Sequence, residues 1–101
     1  MKILVVDDEP LVRLTVRVVL EDCGQVVREA ADGATALRLL QEDRDIDFLF
    51  TDIRMPGMSG VELAAAASAL RPDLAIALTT GYSEAAPGSY LLLRKPWLSD
   101  E

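Results

Sequence analysis

The sequence has no histidine and only one cysteine, Cys23, among 101 residues. A lone cysteine cannot close an internal disulfide, and without histidine no Cys/His zinc pattern exists. Both kinds of scaffold are excluded, and a reducing, cytoplasmic setting is expected. Long apolar runs are also missing. None approaches the ~18 residues of a membrane span, so no membrane partner is expected. Basic residues are scarce: ten Lys and Arg against seventeen Asp and Glu leave a formal charge of −7. That balance works against phosphate-backbone binding, so no nucleic-acid partner is expected either.

What is present is enough for one folded domain. Half of the residues are hydrophobic, and the length suits a single domain over residues 1–101. Ile3 to Val6 is a continuous apolar run that meets Asp7-Asp8-Glu9-Pro10 with no small-residue cleavage site. It reads as a strand buried on both faces, not as a signal peptide. The acid-Pro step then starts a helix. Leu11, Leu14 and Val18, with Val12, Val16 and Val19, give that helix a wide apolar face. Cys23 is expected as a small buried hydrophobe, and Gly24 as the residue that ends the helix. Gln25 to Ala30 reads as an edge strand. A second amphipathic helix follows Asp32-Gly33, marked by Ala36, Leu37 and Leu40.

The chain is organised around Phe48 to Gly60, where an apolar strand stops at Asp52 and breaks into Met55-Pro56-Gly57. A helix over 60–70 follows, with an alanine run at 64–67 suited to close packing. Leu74 to Leu78 is the next strand, ending at Thr79-Thr80, and Tyr90 to Arg94 is the last. This alternation predicts a parallel α/β sheet with helices on both faces. Between the last two strands only 81–89 remain, short of the dozen or so residues of a usual crossover with its helix. A fourth helix is therefore expected to be reduced or absent, and the residues after Pro96 are too few for a fifth.

In a parallel sheet all strands end on one edge, where ligands gather. Asp7, Asp8, Asp52, Thr80 and Lys95 all stand at such ends. Three crowded carboxylates repel one another unless a cation joins them. Oxygen-only donors around an open site suit Mg²⁺. A carboxylate beside a metal, a hydroxyl and an ammonium can act as a nucleophile towards phosphorus.

Val5 to Glu9, Asp52 to Gly60, Thr80-Gly81-Tyr82 and Lys95-Pro96 together resemble the receiver domain of bacterial two-component response regulators. The resemblance implies a flavodoxin-like, doubly wound, five-stranded parallel sheet of order 2-1-3-4-5. It implies that Asp52 accepts a phosphoryl group from a histidine kinase or phosphotransfer protein. Mg²⁺ would be held by Asp7, Asp8, Asp52 and the Arg54 backbone carbonyl, and Thr80 and Lys95 would read out the phosphate. The expected output is a changed surface read by a downstream protein, not metabolic catalysis. The chain departs from the family in its contracted fourth helix and in Leu92, where an aromatic switch residue is common. Tyr82 is a candidate substitute reporter, set against the plainer reading of it as a surface aromatic. If the last helix is missing, strands 1 and 5 are left uncovered and the chain is expected to form a homodimer. Two other functions compete with this one. A phosphorylation-independent interaction module is opposed by the intact acid, hydroxyl and lysine set. A haloacid-dehalogenase-like phosphatase needs a second acid where Arg54 stands.

Overall fold

A computed structural model describes residues 1–80 and 91–94, with Thr80 and 91–94 given by backbone alone. The elements run β1 (Lys2–Val6), α1 (Pro10–Asp22), β2 (Val26–Ala30), α2 (Gly33–Glu42), β3 (Phe48–Asp52), α3 (Gly60–Leu70), β4 (Ala75–Thr80) and β5 (Leu91–Arg94). The strands form one sheet of order β2-β1-β3-β4-β5, and every pairing is parallel. This is the flavodoxin-like order expected from the sequence. Whether a fourth or fifth helix exists concerns 81–90 and 95–101, which lie outside the described residues.

Alternation along β1 shows how the sheet is wound. Ile3 and Val5 pack with Val16 of α1 and Val27 of β2. Leu4 and Val6 point the other way, into a cluster with Ala36, Leu39 and Leu40 of α2 and with Leu63 and Ala67 of α3. Among the described residues, one helix therefore covers one face and two cover the other. A strand buried on both faces must be apolar at every position, and that is why the first run has no alternation. The alanines of α3 work by being small: Ala64 and Ala67 have no exposure at all, which lets this helix lie close to β3 and β4.

Three expectations are corrected. The wide apolar face of α1 is divided. Val16 is buried, and Val12 and Leu20 pack beside it, whereas Leu11, Leu14 and Val18 are exposed. A helix on the flank of a sheet can bury only one stripe, and the one centred on Val16 takes the sheet. Cys23 is exposed, because it caps the helix end and does not enter the core. Nor is β1 uncovered: Ile3 and Val5 are 6% and 1% exposed under α1. Gly24 does end α1, with a φ of 87° that costs glycine little.

Candidate functional site at the carboxyl edge of the sheet

Strand register brings the acids together. Val6, the last residue of β1, lies opposite Ala30 of β2 and Thr51 of β3, so Asp7 leaves the sheet where β3 reaches Asp52. Asp52 in turn lies opposite Thr79 of β4. One carboxylate oxygen from each of Asp7, Asp8 and Asp52 falls within 4.8 Å of the others. Asp7 is 3% and Asp52 8% exposed, while Asp8 is on the surface.

Backbone hydrogen bonds fix Asp7 and the chain on either side of Asp52. The Asp7 N–H donates to the Ala30 carbonyl at 3.2 Å. Asp7 Oδ1 accepts from the Glu9 N–H at 2.9 Å. Its carbonyl accepts from Arg13 Nη1 at 2.7 Å. Beyond Asp52, the Ile53 N–H donates to the Thr79 carbonyl at 2.9 Å and the Gly60 N–H to the Ile53 carbonyl at 2.8 Å. Thr51 Oγ1 donates to the Asp52 carbonyl at 3.0 Å.

The start of α3 is drawn tightly onto this edge. Ser59 Oγ accepts from the Glu62 N–H at 3.1 Å, and Glu62 Oε1 accepts from the Ser59 N–H at 2.9 Å. This reciprocal pair satisfies donors that the helix cannot use internally. Gly60 then lies so close to β3 that a Cβ there would overlap the Asp52 carbonyl oxygen. Arg54 is exposed and, with Ile53, Met55, Pro56 and Ser59, lines an open groove of about 450 Å³.

Of the residues expected from sequence, Asp7, Asp8 and Asp52 converge, and Arg54 lines the groove just beyond Asp52 in the chain. Thr80 is the last residue of β4 and lies opposite Arg94 of β5. Lys95, Gly81 and Tyr82 lie outside the described residues. Arg13 escaped the sequence reading. Its bond is to a main-chain oxygen, and no spacing rule announces such a contact.

The donor set fits a hard divalent cation. All three donors are carboxylate oxygens, and two buried acids side by side repel each other in the absence of opposite charge.

Comparison with known proteins decides the family. The sequence model of the response regulator receiver domain matches residues 3–91. The chain belongs to that family. This receiver is 40% identical over 84 residues to the response regulator receiver protein CpdR of Brucella abortus, covering 83% of this chain and 68% of that one. It is 46% identical over 70 residues to the chemotaxis protein CheY of Pseudomonas aeruginosa, covering 68% of this chain and 56% of the other. With the chemotaxis protein CheY-3 of Vibrio cholerae it shares 48% over 64 residues, 62% of this chain and 48% of that one. The receiver thus spans about half the length of these chemotaxis relatives.

Among solved structures it superimposes on a response regulator receiver domain protein from Clostridium thermocellum. The TM-score is 0.86 at 31% identity, over 94% of this chain and 82% of that one. The response regulator TrrA of Thermotoga maritima, solved in complex with Mg²⁺-BeF, aligns with a TM-score of 0.77 at 38% identity, over 81% and 70% of the two chains. As a receiver domain, the chain is a part of two-component signalling. No helix among the described residues is long and apolar enough to cross a membrane.

Proposed function

We propose that residues 1–101 form a single phosphoacceptor receiver domain in which Asp52 takes a phosphoryl group from a histidine kinase or phosphotransfer protein. The observation that carries this reading is the convergence of Asp7, Asp8 and Asp52 within 4.8 Å at the carboxyl edge of the sheet. Mg²⁺ would be held by Asp7, Asp8, Asp52 and the Arg54 carbonyl, and would supply charge neutralisation for the incoming phosphoryl oxygens. A carboxylate oxygen of Asp52 attacks phosphorus, and its new O–P bond replaces the bond to the donor's leaving group. That group departs with the electron pair, leaving an acyl phosphate on Asp52. Asp7 and Asp8 hold the site's charge in place during the exchange. The Thr80 hydroxyl donates to one phosphoryl oxygen and the Lys95 ammonium pairs with another. Attack by water on the same phosphorus restores the carboxylate, so the signal reverses itself.

The domain acts as a signalling part and not as a metabolic enzyme. Its phosphorylated surface is read by a downstream protein in the cytoplasm, and a second copy of the chain is a further partner. Incubation with acetyl phosphate and Mg²⁺ followed by intact mass analysis tests the proposal. One phosphoryl mass is expected for the wild type, and none for Asp52→Asn or in EDTA. An equal gain in Asp52→Asn would refute it.

A further inference from the structure

The main chain of Asp7 is held from two sides. Its N–H is bonded to Ala30 of β2, and its carbonyl oxygen is held by Arg13 from the first turn of α1. The guanidinium is itself anchored. Arg13 Nε donates to Glu29 Oε1 on β2 at 3.1 Å, and Glu29 Oε2 accepts from Arg17 Nη1 at 2.7 Å. One planar fork thus links α1, the edge strand and the loop that carries the two acids. The Arg13 side chain is only 18% exposed.

The carbonyl that Arg13 holds belongs to the peptide joining Asp7 to Asp8. A peptide is planar, so fixing its oxygen fixes the Asp8 nitrogen and the direction in which Asp8 leaves the chain. Asp7 is buried and has further anchors. Asp8 is exposed, and it takes its direction from this peptide.

We propose that Arg13 is a positioning residue for the metal site, aligning the Asp7–Asp8 peptide so that both carboxylates converge with Asp52. The proposal rests on the metal reading of the acidic cluster. Lysine could not replace it, because a single ammonium lacks the two divergent donors that reach Glu29 and the Asp7 carbonyl together.

Charge and positioning predict opposite signs here. Removing a cation beside an acidic cluster strengthens the cluster's pull on a divalent ion. Removing a brace weakens it. Calorimetric Mg²⁺ titration of the full chain separates the two, with circular dichroism at the same temperature to establish that each variant is folded. Arg13→Gln is expected to bind Mg²⁺ about ten-fold more weakly, as for other groups that orient metal ligands. Arg13→Lys keeps the charge, loses the fork and is expected to weaken in the same direction. Arg17→Gln removes the same charge without touching Asp7 and is expected to stay within about two-fold of wild type.

Wild-type or tighter binding by Arg13→Gln overturns the proposal, as does an equal loss in Arg17→Gln. Should Arg13→Gln fail to fold, Arg13→Lys carries the test, because it keeps the charge and loses the fork; unchanged Mg²⁺ affinity in that folded variant overturns the idea. A wild type that binds no Mg²⁺ refutes the metal reading and this proposal with it. That result is distinct from wild-type binding alongside an unaffected Arg13→Gln.

Discussion

Two of the three acids at this site are largely shielded from water, and the third is exposed. Asp7 and Asp52 are both buried, and a buried carboxylate is costly unless opposite charge or hydrogen bonds offset it. Close by, Glu29 is an acid held by two arginines. Its carboxyl is held below the ordinary 4.5, first by the hydrogen bond from Arg17 and then by that from Arg13, against a burial that raises it. A depressed folded-state pKa gives a stability contribution that is complete above the unfolded value and fades as pH falls through the folded one. Glu29→Gln is therefore expected to be less stable than wild type at neutral pH, by at most about 1 kcal/mol for so open a pair. Urea titrations at neutral pH and near pH 3 check this: the gap should close in acid, and a gap of equal size there would contradict it.

The elements explain what the sequence made legible and what it hid. Strands were readable because burial on both faces leaves an unbroken apolar run, as in Ile3 to Val6. The acidic cluster was readable for a related reason, since parallel strands must all deliver their last residues to one edge. Helix α1 was harder. Apolar residues occupy most of its circumference, so periodicity alone could not choose between the Val16 stripe and the Leu11, Leu14, Val18 stripe. Only the position of β1 and β2 chooses. Burial preference says nothing about a residue at a helix end, and Cys23 there is exposed.

The sequence marks Gly60 as the start of a helix, but its closeness to Asp52 is a tertiary fact. A methyl group there would strike the Asp52 carbonyl and the Ile53 Cα. Both are backbone and cannot swing aside. Gly60→Ala should cost about 1–3 kcal/mol in urea denaturation and should weaken Mg²⁺ binding by displacing β3. Unchanged stability would show that α3 can retreat freely.

The whole molecule joins an acidic cluster at one edge of the sheet to an apolar stripe on α1. Leu11, Leu14 and Val18 are 77%, 52% and 55% exposed and lie on one side of the helix, a contiguous patch of the kind that marks an interaction surface. Light scattering is expected to show mass rising with concentration, and Leu14→Glu should suppress the rise. A constant monomer mass would contradict self-association through this face. The acidic cluster is best tested by finding which acid carries the phosphoryl group. Borohydride converts an acyl phosphate to the alcohol, so an aspartyl phosphate becomes homoserine. After phosphorylation with acetyl phosphate and Mg²⁺, tandem mass spectrometry of the reduced protein should find homoserine at position 52 alone. Homoserine at position 7 or 8, or phosphorylation that leaves Asp52 intact, would contradict the account.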